Sequence, residues 1–263
     1  MSNTHGDFIW YELMTPDPGA AQAFYRGLFG WSFADSGMPE MTYLLFSAEG
    51  TQVGGVMGLT GDMQKGGARA LWAGYISVDD VDDAASKLRE SGGQVHLEPR
   101  DIPGVGRFAF GADQAGAPFY IMTDTSGQKS ESFSAYTPRN GHCAWNELMT
   151  PDLDAAQSFY GDLFGWVKAD SMDMGPMGEY RMLKNGASRD FMFGAMMKQP
   201  PEMPAPLWFY YFRAPDIDVA AAYVKDKGGA IINGPMEIPG GDFVFTAIDP
   251  QGALFSLIGQ RRV

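Results

Sequence analysis

Cysteine occurs once, at Cys143, in a chain of 263 residues. No intramolecular disulfide can form, and no cysteine-based metal cluster can be assembled. Histidine occurs only as His5, His96 and His142, and no two of these have the spacing of a zinc site. Basic residues number 19 against 32 acidic ones, for a net charge of −13. That balance argues against nucleic acid or an anionic membrane as partner, since both require a basic face. No apolar run approaches the length of a membrane span. The opening MSNTHGDFIW has neither the basic start nor the apolar stretch of a signal peptide. The expectation is a soluble protein of a reducing, cytoplasmic compartment. Phosphate-binding glycine spacing is missing too, and GDMQKGG at 61–67 reads as a plain loop.

Hydrophobic residues make up 45% of the chain, enough for a sizeable core. The string WYELMTPDPGAAQAFYRGLFGW at 10–31 returns at 145–166 as WNELMTPDLDAAQSFYGDLFGW, with 16 of 22 positions identical. The later parts also align. LWAGYISVDDVDDAASKLRESGG (71–93) lies over LWFYYFRAPDIDVAAAYVKDKGG (207–229), and 102–122 lies over 238–258. One recurrence at this distance is a duplicated module, not a solenoid array. The reading places module 1 at 1–126, a polar linker at 127–140 and module 2 at 141–263.

Each module reads as two similar halves. Asp17 can cap a helix with Pro18 at its first position, an apolar stripe follows at 21, 24, 25 and 28, and Gly30 ends it. Asp80 opens a second helix with Val81, Ala84, Ala85 and Leu88 on one face. The acidic run DDVDD at 79–83 is therefore a solvated helix start, not a calcium loop. The second copy repeats both helices, with faces Ala156, Phe159, Tyr160, Leu163 and Ile217, Ala220, Ala221, Val224. Runs rich in aromatic and branched residues at 8–14, 41–47, 51–58, 71–78, 106–112 and 117–122 read as strands.

A strand followed by D-x-x-x-A-x-x-FY-x-x-LFGW, with later D-x-x-G-x-x-F endings at 113–119 and 249–255, resembles the vicinal oxygen chelate superfamily. That superfamily includes glyoxalase I, bleomycin- and fosfomycin-resistance proteins and extradiol dioxygenases. The resemblance spans nearly the whole chain, twice. It implies an α+β fold of tandem glyoxalase-like modules, each built of two βαβββ units forming cupped mixed sheets around a small-molecule site. The duplication predicts that the two modules pack together as a pseudo-dimer, since sites of such proteins often need two modules, with further oligomerisation left open. The chemistry the resemblance implies runs on a divalent metal held by His, Gln or Glu. The matching positions here are Trp10 and Trp145 on the first strands and Tyr120 and Ser256 on the last. The middle positions fall near Val56, Ala73, Ala195 and Phe209. An indole has no lone pair to donate to a metal, and none of the others is a good ligand for a hard cation. The expectation is no metal and no other cofactor, with a divalent metal on non-standard ligands as the alternative.

If Trp10 faces the cup, strand alternation makes Glu12 face it too, and Trp145 brings Glu147. Trp72, Trp208 and Tyr210 are expected on the strands completing the cups, and Tyr120 on the closing strand of the first. The expected site is an aromatic-walled pocket with one carboxylate inside, formed by Trp10, Glu12, Trp72, Tyr120, Trp145, Glu147, Trp208 and Tyr210. Such walls suit a planar or cationic small molecule. Glu12 and Glu147 are also the only candidates for acid–base catalysis, which leaves a lyase- or dioxygenase-like enzyme as the alternative to a binding protein. The methionines clustered in module 2 are either core filling or an adaptable binding surface.

Overall fold

A computed structural model describes residues 3–38, 41–134, 137–187 and 191–262. The first copy runs β1 (Phe8–Thr15), α1 (Pro18–Phe29), β2 (Ser32–Asp35), β3 (Tyr43–Ala48) and β4 (Thr51–Gly58). After the short α2 (Gly61–Lys65) it continues with β5 (Leu71–Ser77), α3 (Val81–Glu90), β6 (Gln94–Ile102), β7 (Gly106–Ala112) and β8 (Pro118–Asp124). The second copy runs β9 (Cys143–Thr150), α4 (Leu153–Phe164), β10 (Trp166–Asp173), β11 (Glu179–Asn185) and β12 (Met192–Lys198). Then come β13 (Leu207–Ala214), α5 (Ile217–Asp226), β14 (Ala230–Glu237), β15 (Phe243–Ile248) and β16 (Leu254–Gly259). The result is α+β, with two eight-stranded mixed sheets ordered β2-β3-β4-β1-β5-β8-β7-β6 and β10-β11-β12-β9-β13-β16-β15-β14. No described helix is long and apolar enough to cross a membrane.

The helices begin and end for the reasons their residues supply. The Asp17 carboxylate accepts the backbone N–H of Ala20 at 2.9 Å, and Asp80, Asp152 and Asp216 cap their helices in the same way. Gly30 and Gly165 close α1 and α4 in the left-handed region, at φ 72° and 71°. The buried stripes are the apolar ones: Ala21, Phe24, Tyr25 and Leu28 on α1, and Val81, Ala84, Ala85 and Leu88 on α3.

Two compact units make up the chain, and each takes half of each sequence copy. One comprises residues 10–73, 131–144 and 209–263, so it holds most of β1–β4 with α1 and most of β13–β16 with α5. Its core is a ring cluster of Tyr25, Trp31, Phe46, Trp72 and Phe212; Trp31 stacks on Phe46 at 4.1 Å, and Trp72 meets Phe212 at 4.9 Å. The other comprises residues 1–9, 74–130 and 145–208, with a matching cluster of Phe8, Tyr160, Phe164, Trp166, Phe193 and Trp208. Trp31 and Trp166, the last residues of the repeated string, have the same task. Trp31 donates its indole N–H to the carbonyl of Gly141 at 3.0 Å, just before β9. In the other unit Trp166 donates to Gly6 at 2.8 Å, just before β1.

Candidate functional site

Strand register sorts the side chains of β1–β4 into two faces. Tyr11 and Leu13 point to the core and are fully buried, with Tyr11 against Tyr210 and Phe212. Trp10 and Glu12 point the other way. Glu12 lies beside Gly55, which lies across from Leu45, and Met57 lies across from Tyr43. Tyr43 therefore comes onto the face of Trp10 and Glu12. The Trp10 indole N–H donates to the Tyr43 hydroxyl at 3.2 Å, and the Tyr43 hydroxyl is hydrogen-bonded to the Glu12 carboxyl. Burial, followed by the charge of Glu12, holds the Tyr43 phenol well above its ordinary pKa. The phenol thus stays neutral and gives its proton's hydrogen bond to the carboxylate while accepting from the indole. A Cβ at Gly55 would lie 2.2 Å from the Tyr43 hydroxyl oxygen, so the glycine leaves the room in which the ring lies over the strand.

The second copy builds the same chain within the other unit. Trp145 donates to the Tyr180 hydroxyl at 2.7 Å, and Tyr180 donates to Glu147 Oε2 at 2.7 Å. Glu147 is 5% exposed and Glu12 2%. Each face therefore joins two polar-edged aromatic rings to a buried carboxylate. The expected pairs Trp10–Glu12 and Trp145–Glu147 are brought together. Tyr43 and Tyr180, which join them, were not singled out from sequence. No run of residues marks them, since only the pairing of Tyr43 with Met57 and of Tyr180 with Met197 brings them onto these faces.

Other expected site residues lie elsewhere. Trp72, Trp208 and Tyr210 sit on the core side of β5 and β13 and are at most 2% exposed. Trp72 donates to the Tyr25 hydroxyl at 3.1 Å, which donates to Asp249 at 2.9 Å. Trp208 donates to Tyr160 at 2.9 Å, and Tyr160 to Asp113 at 3.1 Å. These are internal braces that tie the D-x-x-G turns to the helices. Their placement corrects the expectation that these three rings wall the cups: Trp72 is an odd number of residues from Tyr75, so alternation sends the two to opposite faces. Tyr120 does lie on the face opposite the core, stacked on Tyr75 at 4.1 Å with Phe110 alongside at 4.5 Å.

Among the described residues no group of three or more His, Cys, Asp or Glu side chains converges. The donors on each Trp–Tyr–Glu face are one carboxylate, one phenol and an indole that cannot ligate. That set does not fit the divalent metal implied by the resemblance, and no chemical step is derived through one. Elsewhere, a cleft of about 320 Å³ at the start of α3 is lined by Asp79, Asp80, Asp82, Asp101 and Arg107 among others. Arg107 forks onto Asp82 at 2.7 and 2.9 Å and reaches Asp101 at 3.0 Å, so this acidic surface already carries its own cation.

Known proteins agree with this architecture. The model of the Glyoxalase/Bleomycin resistance protein/Dioxygenase superfamily matches residues 8–131 and again 139–257. The chain belongs to that superfamily. A Mycobacterium bovis protein named "Putative glyoxylase CFP32" is 33% identical over 252 residues, covering 95% of this chain and 93% of its own. The "Anthracycline biosynthesis protein DnrV" of Streptomyces peucetius is 29% identical over 267 residues, covering 96% and 92%. In fold the superfamily member resembles the Mn(II)-bound glyoxalase of Novosphingobium aromaticivorans, with TM-score 0.63 and 18% identity over 98% of this chain and 83% of that one. It also resembles 2,2',3-trihydroxybiphenyl 1,2-dioxygenase of Sphingomonas wittichii, with TM-score 0.65 and 15% identity over 97% and 91%.

Proposed function

We propose that this superfamily member binds a small planar aromatic or apolar molecule on its Trp–Tyr–Glu faces without the usual metal. The observation that carries the reading is the duplicated chain of indole, phenol and carboxylate at the place where the resemblance implies a metal ligand. Each chain fixes two aromatic rings at the edge of the face and places a buried carboxyl group at its floor. A flat ring with a positive group suits that surface through stacking, cation–π contact and charge. The name of the Streptomyces relatives ties those proteins to anthracycline biosynthesis, which accords with a flat polycyclic ligand. The test is a tryptophan-fluorescence titration with 9-aminoacridine, a planar cation. Saturable binding, read in parallel from the probe's own emission, that is weakened in Trp10→Ala/Trp145→Ala supports the reading; unchanged binding in that variant removes it.

A second reading is acid–base catalysis by Glu12 or Glu147, in a lyase- or dioxygenase-like enzyme of this family. The burial of both carboxylates beside a phenol favours it, since a shielded carboxylate is suited to moving a proton. Glu12→Gln/Glu147→Gln distinguishes the two, because turnover would vanish with the carboxylates while stacking of an uncharged ring would persist.

A further inference from the structure

The two faces are not equivalent, and the difference lies in sulfur. On β1–β4 the row through Tyr43 reads Met14, Met57, Tyr43, and the backbone N–H of Ser36 bonds to the Tyr43 carbonyl at its end. The row through Glu12 reads Glu12, Gly55, Leu45, Ala34. On β9–β12 the matching rows read Met149, Met197, Tyr180, Met172 and Glu147, Ala195, Met182, Asp170. Four thioethers thus share a face with Tyr180 where two share one with Tyr43. Exposure differs as well. Met14 and Met57 are buried at 6% and 8%, whereas Met149 and Met182 are half-buried and Met172 is 37% exposed.

Methionine is unbranched and polarisable, and it makes favourable sulfur contacts with aromatic rings, so it reshapes a surface at little cost. Buried as floor, as Met14 and Met57 are, it only fills space. Partly exposed beside a fixed ring and a carboxylate, it forms an adjustable wall. We infer that the β9–β12 face is the one that takes ligand, and that Met149, Met172 and Met182 let it accept planar cations of more than one outline. The β1–β4 face, with Leu45 and Ala34 in place of Met182 and Asp170, has no partly exposed thioether in the two rows beside its Trp10–Tyr43–Glu12 chain. This inference rests on the binding reading above.

The test uses the full chain with methionine methyl groups labelled with carbon-13 and assigned by single Met→Leu variants. Two probes of different outline are titrated: 9-aminoacridine and 1-aminomethylpyrene, both cations near neutral pH. The expected result is saturable ring-current shifts at Met149, Met172 and Met182 with both probes, while Met14 and Met57 stay fixed. The Met149→Leu/Met172→Leu/Met182→Leu variant, close in volume, is expected to keep one probe and weaken the other by about tenfold. Shifts at Met14 and Met57 instead, or equally in both sets, overturn the choice of face while binding itself stands. A triple variant that binds both probes like the unaltered chain overturns the role of the thioethers. Saturable tryptophan quenching with no methionine shift overturns the inference, and no saturable response to either probe overturns both the inference and the reading beneath it.

Discussion

Tyr180 stands between an indole N–H and a carboxylate, and Tyr43 does the same in its own unit. Removing the Tyr180 hydroxyl strips a hydrogen bond from Glu147 and another from Trp145. Tyr180→Phe is therefore expected to cost about 1–3 kcal/mol in chemical denaturation, the usual range when a buried polar group loses its partner. A change within a few tenths would show that the chain carries no stability. The core braces titrate in a defined direction. Burial, the largest influence, lifts the carboxyls of Asp113 and Asp249 above their ordinary pKa, although backbone N–H groups and the tyrosine donors pull them down. Each binds a proton more tightly folded than unfolded. Its contribution to stability is full below the ordinary carboxyl pKa of about 3.9 and is lost as pH rises through the raised value. Asp249→Asn cannot titrate, so the stability of the unaltered chain relative to this variant should grow as the pH falls from neutral toward about 4. Urea titrations across that interval check it, and a relative stability that falls instead would contradict the assignment.

Among the elements, α1 and α5 meet through a glycine. A Cβ on Gly27 would lie 2.0 Å from the Tyr223 hydroxyl oxygen, and that hydroxyl donates to the carbonyl of Phe24 at 3.1 Å. Gly27→Ala should cost about 1–3 kcal/mol by overpacking, despite alanine's better helix propensity. Gly19→Ala, on the same helix with only the Asp17 carboxylate at 3.5 Å, should cost nothing or stabilise. Thermal melts of the two variants decide it, and equal losses would mean that the helix contact has no part in the effect. Helices α1, α3, α4 and α5 were legible in the sequence because each carries a cap, an apolar stripe and a stop signal; α2, in the stretch 61–67 read as a plain loop, is capped by Thr60 but buries no side chain, so no stripe marks it. Strands β2 and β6 were not, for a physical reason. Both run along the margin of their sheet, and mixed exposure in SFAD and QVHLEPRDI removes the apolar pattern that marks a strand. The site was half legible. Trp10 with Glu12 and Trp145 with Glu147 follow from alternation along one strand, whereas Tyr43 and Tyr180 depend on pairing between strands, which a single run of residues does not encode.

For the whole molecule, sequence copies and compact units do not coincide. Each unit takes one half of each copy, and each is closed by the tryptophan of one LFGW string donating to the glycine that precedes the first strand of the other copy. Repetition in the sequence reveals the duplication but not this exchange, because the long-range contacts behind it leave no periodic trace. Native-state hydrogen exchange should therefore show β1–β4 opening with β13–β16, and β5–β8 with β9–β12. Protection that instead follows the two sequence copies would contradict the division. The central claim concerns the faces, and its most direct test is binding of 9-aminoacridine to chelator-treated protein, before and after divalent metal is restored. The account predicts saturable binding in the metal-free protein, unchanged by added Mn²⁺ and weakened in Trp10→Ala/Trp145→Ala. Binding that appears only once metal is present would contradict it.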